Sequence, residues 1–166
     1  RGGRMNGFSF GPHLTSDGVA FRLWAPAAER VDLMLGDAAH EMQREPEGWF
    51  TCDIAGLHAG ARYRFRIDGD MEVPDPASSF QPDDISGPSE VIDHRSYTWR
   101  ATEWRGRPWE DVVFLETHVG TFTPDGTYRA MIDRLDHLVE TGITALALMP
   151  LADFPGRWNW GYAGAL

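Results

Sequence analysis

Asp111-Val-Val-Phe-Leu-Glu-Thr-His-Val-Gly120 and Ile143-Thr-Ala-Leu-Ala-Leu-Met149 are the two stretches on which the fold turns. Each is a short apolar run of the length expected for a strand buried on both faces. Between them the period changes to that of a helix. Within Thr127 to Gly142, the residues Tyr128, Met131, Ile132, Leu135, Leu138 and Val139 recur at spacings of three and four. Arg129, Asp133, Arg134, Asp136 and Glu140 occupy the opposite side. Thr127 is placed to cap the first turn and Gly142 to end the last one. Strand, helix and strand in this order make one unit of a parallel sheet. Such sheets need cover on both faces, and a closed barrel of eight units takes ~250 residues. Only residues 150–166 follow the second strand. The expectation is the first βαβ portion of a (β/α)8 TIM barrel, incomplete at 111–166, which makes the chain the front end of a larger enzyme.

The loops after the two strands, Gly120 to Asp125 and Pro150 to Leu166, are where a parallel α/β fold builds its site. The second is dense in aromatic rings, with Trp158, Trp160 and Tyr162 beside Asp153 and Arg157. Flat apolar faces next to a few polar groups suit a sugar ring. Glu116 and His118 are two apart on the first strand, so their side chains share a direction. As residue types they would serve as an acid and a base, but buried scaffold groups are the preferred reading.

Working outward from this block, the sequence before it has period two. Arg62-Tyr63-Arg64-Phe65-Arg66-Ile67-Asp68 places Tyr63, Phe65 and Ile67 on one face and three arginines on the other. Val31, Leu33 and Leu35 alternate with Asp32 and Met34, and Ala20 to Trp24 and Trp49 to Ile54 are further strands. Asp17-Gly18, Gly36-Asp37, Glu47-Gly48, Ala59-Gly60 and Asp68-Gly69 supply the turns. From about Phe8 onward these features predict an immunoglobulin-like β-sandwich over 1–96. Residues 97–110 form a linker before the second block. Pro74 to Pro88 is too rich in proline for a strand or helix and predicts an irregular loop leading to a strand over Glu90 to Asp93. Trp99, Trp104 and Trp109 recur at five-residue spacing, which fits neither helix nor strand. They are read as wedges between the two blocks, with sugar-stacking platforms as the alternative.

Composition excludes several classes. Hydrophobic residues make up 42% of 166 positions, enough for one core or two small ones. A net charge of −10 argues against nucleic acid and anionic membrane as partners. All 15 basic residues are arginine. No apolar run of ~18 residues is present to span a membrane. Cys52 is the single cysteine, which favours a cytoplasmic setting and a core role for the thiol. Asp75, Asp83 and Asp84 lack the spacing of a calcium loop, and the other histidines lack ligand spacing, so no metal and no cofactor are expected. The chain begins at Arg1 rather than at methionine, which again suggests a longer product.

Four motifs together resemble one family: Phe21-Arg-Leu-Trp-Ala-Pro26, Pro74-Asp-Pro-Ala-Ser-Ser-Phe-Gln-Pro82, Glu116-Thr-His-Val-Gly-Thr-Phe-Thr-Pro124 and Leu148-Met-Pro-Leu-Ala-Asp-Phe-Pro155. The chain resembles the amino-terminal part of the malto-oligosyltrehalose trehalohydrolases, in the α-amylase superfamily of glycoside hydrolases. The first motif also occurs in branching and debranching relatives. The resemblance implies a starch-binding-like sandwich ahead of a catalytic barrel, and an α-1,4-glucan or maltooligosyl trehalose as substrate. It implies retaining hydrolysis of the α-1,4 bond next to the trehalose end. The catalytic carboxylates of such enzymes follow later strands, so no catalytic residue is assigned. Tyr162 matches the tyrosine that stacks on the sugar at the cleavage subsite, and Trp160 is its neighbour in the substrate-binding set. Ala163 stands where aspartate is usual, and Leu115 and Thr117 also depart from the pattern. By itself the chain is expected to be inactive, and its unfinished half-barrel to be poorly ordered, to lean on the sandwich or to associate between copies. The alternatives are a stand-alone α-glucan-binding module, a relative of the glucan branching or debranching enzymes, and a fragment without sugar affinity.

Overall fold

The structure, a computed structural model, describes residues 10–165. Phe8, from which the sandwich pattern was read, and Leu166 lie outside them. Two compact units divide at Tyr97 and Thr98.

The first unit is a β-sandwich. One sheet holds β1 (His13–Leu14), β2 (Gly18–Trp24), β6 (Trp49–Ala55) and β5 (Gln43–Arg44), in that order. The other holds β4 (Ala38–Glu41), β3 (Val31–Leu35), β7 (Arg62–Ile67) and β8 (Met71–Val73), with β9 (Ser89–Glu90) also paired to β7. All pairs in both sheets are antiparallel. Alternation directs Val19, Phe21 and Leu23 of β2 and Tyr63 and Phe65 of β7 into one core, where they meet Val31, Leu33 and Phe50. The Phe21 and Tyr63 rings meet edge to face at 4.9 Å across the two sheets. An aromatic contact of this kind adds to the stabilisation from burial alone.

Two buried carboxylates depart from the simple alternation. Asp32 alternates with the apolar residues of its strand, yet it is 1% exposed. Arg30 donates to its Oδ1 from Nε and Nη2 at 3.1 and 2.9 Å, and Arg66 to its Oδ2 at 3.3 and 3.0 Å. Register places Arg66 directly opposite Asp32, so two guanidinium forks close over the carboxylate. Burial works to raise its pKa, and the hydrogen bonds from Arg66 and Arg30 prevail and hold it below the usual carboxylate range. Asp75 is also 1% exposed. It accepts from the Tyr63 hydroxyl and from the Ala77 amide, both at 2.8 Å, while its own amide donates to Ser89 Oγ at 3.0 Å. Here burial prevails and the carboxyl pKa is raised.

The Pro74–Pro88 segment is irregular, as its prolines require. Gln81 Nε2 donates to the Asp84, Ile85 and Gly87 carbonyls, Asp84 accepts from the Ile85 amide at 2.6 Å, and Asp83 pairs with Arg62 at 3.0 Å. The strand expected over Glu90 to Asp93 falls instead at Ser89–Glu90, because Asp93 turns away to cap a single helical turn, accepting from the Arg95 amide at 3.0 Å. Cys52 is half-buried against the core.

The second unit contains β10 (Phe114–Thr117) and β11 (Ala145–Leu148), paired in parallel. Between them run the short helices α1 (Val119–Phe122), α2 (Tyr128–Ile132) and α3 (Leu135–Glu140). The single long helix read from the sequence is therefore broken at Asp133–Arg134, where Arg134 leaves helical geometry. Thr127 caps α2 by accepting from the Ala130 amide at 3.2 Å, and Gly142 ends α3 with φ at 85°. Thr144 Oγ1 accepts from the Val113 amide at 2.8 Å and donates to the Asp111 carbonyl at 3.2 Å, tying the two strand starts together. The strand expected over 111–120 is shorter because a helical turn occupies Trp109–Asp111 and α1 begins at Val119. Of its residues only Thr117 is buried. Of the helical stripe only Met131 and Leu138 are buried, and Ile132 and Val139 are 61% and 69% exposed. Trp99, Trp104 and Trp109 are exposed too.

Replacing Tyr63 with Phe leaves a buried carboxyl short of a donor and should destabilise the first unit by about 1–3 kcal/mol in chemical denaturation. Because the folded pKa of Asp75 is raised, its favourable contribution is complete below the ordinary carboxylate range and is lost as pH rises through the folded value. Asp75→Asn should therefore gain stability relative to the parent chain as pH increases. A difference that stays flat with pH would contradict this.

Candidate functional site

Parallel pairing brings the carboxyl ends of β10 and β11 side by side, with Thr117 opposite Leu148. The chain leaves both strands at the same end of the pair, and the two exits enclose a cleft of about 530 Å³. His118, Gly120, Asp125 and Tyr128 line it from the first exit. Leu151, Phe154, Arg157 and Trp158 line it from the second. The Arg157 guanidinium lies 5.1 Å from the centre of the Trp158 ring, so a cation and an aromatic face adjoin in one wall. The mixture of apolar rings with a few donors and acceptors is that of a small-molecule site.

His118 Nε2 lies 3.0 Å from the Asn159 carbonyl oxygen. A carbonyl can only accept, so the imidazole carries its proton on Nε2. Its Nδ1 is buried and has no hydrogen-bond partner. Gly120 packs beside that edge of the ring, where a Cβ would come within 2.9 Å of the imidazole. Asn159 was not singled out in the sequence. Its Oδ1 accepts from the Gly161 amide at 2.8 Å and from the Ala163 amide at 3.5 Å, fixing the turn on which Tyr162 sits. An Asn three residues before a Tyr, with Gly between, is the only signal that could have marked it.

Of the aromatic residues expected to meet a sugar, Trp158 lines the cleft and Trp160 and Tyr162 do not. Tyr162 is 68% exposed and donates from its hydroxyl to Glu116 Oε1 at 2.7 Å. That hydrogen bond, with the carboxylate's charge, raises the phenol's pKa. Trp160 is 86% exposed. Glu116 is exposed rather than buried, which corrects the scaffold reading, while His118 is partly buried and bonded as that reading required. Among the described residues no group of three His, Cys, Asp or Glu is arranged to hold a metal ion, and no helix is long and apolar enough to cross a membrane.

On the sandwich, Trp24 and Trp49 stand opposite each other on β2 and β6 and so share the outer face of their sheet. The Arg22 guanidinium lies 3.8 Å above the Trp49 ring and Phe10 packs against it at 5.4 Å. Trp24 is more open and donates from Nε1 to the Glu47 carbonyl at 3.0 Å. A family model for carbohydrate-binding module 48, the isoamylase N-terminal domain, matches residues 9–81. The match covers the strands from β1 to β8 and the beginning of the proline-rich loop.

The similarity to known proteins extends past the module into the second unit. The chain is 42% identical over 157 residues to a malto-oligosyltrehalose trehalohydrolase of Saccharolobus solfataricus, covering 94% of this chain and 28% of that protein. It is 43% identical over 148 residues to the enzyme of the same name from Deinococcus radiodurans, covering 89% and 24%. A crystal structure from Salmonella typhimurium, assigned provisionally to alpha amylase, superposes with a TM-score of 0.90 at 48% identity, over 95% of this chain and 27% of that one. The resemblance read from the four motifs therefore holds along nearly the entire chain, which spans about a quarter of the length of these curated relatives.

Gly161 has φ at 109°, a conformation in which any other residue is strained. Gly161→Ala should lower the stability of the second unit by about 1–3 kcal/mol and speed amide exchange over residues 159–163. Unchanged exchange there would show that the turn does not depend on glycine.

Proposed function

We infer that the chain is part of a retaining glycoside hydrolase that cleaves the α-1,4-glucosidic bond next to the trehalose end of maltooligosyl trehalose, releasing trehalose. One observation carries this reading: identity above 40% to trehalohydrolases runs through both units, beyond the module. The parallel β10–β11 pair with its cleft at the carboxyl ends is consistent with the opening of a (β/α)8 barrel. In such a reaction one carboxylate attacks the anomeric carbon while a carboxylic acid protonates the departing oxygen, and water then resolves the glycosyl-enzyme. None of those carboxylates is assigned to this chain. Its part is recognition: Tyr162, with Trp160 beside it, offers an aromatic face to the apolar side of a glucose ring, and the cleft supplies donors and acceptors for the hydroxyl rim. The exposed apolar side chains of the second unit would be covered by further barrel units, or by a second copy when those are missing.

A second reading, an α-glucan-binding module acting on its own, is favoured by the family match and by the co-facing Trp24 and Trp49. Incubation with maltooligosyl trehalose separates the two together with calorimetric titration of maltooligosaccharides. The purified chain should release no trehalose and should bind maltooligosaccharides weakly, with loss of binding on Tyr162→Ala. Loss on Trp24→Ala instead would favour the module. Trehalose release would overturn the assignment of catalysis to residues outside this chain. Sedimentation should show self-association that grows with concentration, and a monomer at all concentrations would remove the half-barrel contact.

A further inference from the structure

Tyr162 is held from two directions, and both lead back to one strand. Glu116 lies on β10 and His118 directly follows its last residue. Glu116 accepts the Tyr162 hydroxyl proton at 2.7 Å, a charge-assisted bond between groups 46 residues apart. His118 holds the Asn159 carbonyl at 3.0 Å. The Asn159 side chain then accepts from the amides of Gly161 and Ala163, the residues on either side of Tyr162. The ring is thereby anchored at its hydroxyl and at its backbone, although it stands 68% exposed.

We propose that Glu116, His118 and Asn159 are positioning residues that fix the Tyr162 ring, Glu116 through the phenol and the His118–Asn159 pair through the backbone turn. The same arrangement argues against acid–base work by His118. The Nε2 proton of His118 is committed to a backbone carbonyl, and its Nδ1 edge is closed by Gly120. That a sugar stacks on the fixed ring rests on the function proposed above. Holding the ring in place before binding removes the entropy cost of ordering it, and losing one anchor should weaken stacking roughly two- to tenfold.

The test uses the full chain with isotope-labelled tyrosine, followed by NMR, with the Tyr162 signal assigned by Tyr162→Phe. In Glu116→Gln the Tyr162 phenol should titrate at lower pH than in the parent chain, because the carboxylate that raises its pKa is gone. In Asn159→Ala the Gly161 and Ala163 amides should exchange about tenfold faster or more, and Asn159→Asp, which keeps an acceptor oxygen, should restore their protection. His118→Phe should speed exchange at the same two amides. Identical phenol titrations in parent and Glu116→Gln, or amides indifferent to Asn159→Ala, would overturn the positioning role. Maltotriose added last separates this result from the functional reading. If the variants behave as stated and maltotriose shifts the parent Tyr162 signal but shifts it less in Glu116→Gln, both stand. If the variants behave as stated and maltotriose leaves the signal unmoved, positioning stands and the sugar contact falls.

Discussion

Parallel pairing of Phe114–Thr117 with Ala145–Leu148 is the constraint on which the candidate site depends. Two parallel neighbours must be joined by a crossover, so the chain leaves both strands at the same end. That puts the loop carrying Asp125 and the loop carrying Arg157 and Trp158 around one cleft. An antiparallel pair would have sent them to opposite ends. The pairing also explains the exposed apolar side chains of this unit, because a parallel pair is stable only when both of its faces are covered. Ile132, Val139 and Phe114 belong to surfaces that one pair and three short helices cannot cover.

The first unit solves its packing differently. Its two sheets close on each other around Phe21, Phe50, Tyr63 and Phe65, and each buried charge in it meets a partner. Asp32 is matched by two guanidinium forks, and Asp75 by a phenol and a backbone amide. The Asp75 bonds also tie the proline-rich loop to β7 and β9, since Tyr63 belongs to one strand and Ser89 to the other.

Much of the fold was legible wherever local chemistry decides it. The alternation in Arg62 to Ile67, the Thr127 cap and the Gly142 stop depend on residues within a few positions of one another, and all appear where the pattern places them. The burial of Asp32 was not legible, since it depends on Arg66 arriving 34 residues later through strand register. The break at Asp133–Arg134 was missed because the apolar stripe continues across it without interruption. Strands β4, β5 and β8 are short and edge-like, without the alternation that would announce them. At the site, the cleft-forming loops were identifiable from the parallel pattern alone. The bond of Tyr162 to Glu116 and the part played by Asn159 required the folded chain, because each joins segments more than 40 residues apart.

Under the proposed function, recognition resides at the carboxyl ends of the parallel strands rather than on the outer face of the sandwich. Hydrogen exchange of the full chain with and without maltopentaose, resolved by peptide, tests this most directly. Protection should appear in residues 117–126 and 150–165 and leave β2 and β6 unchanged. Protection confined to the peptides that carry Trp24 and Trp49 would contradict it.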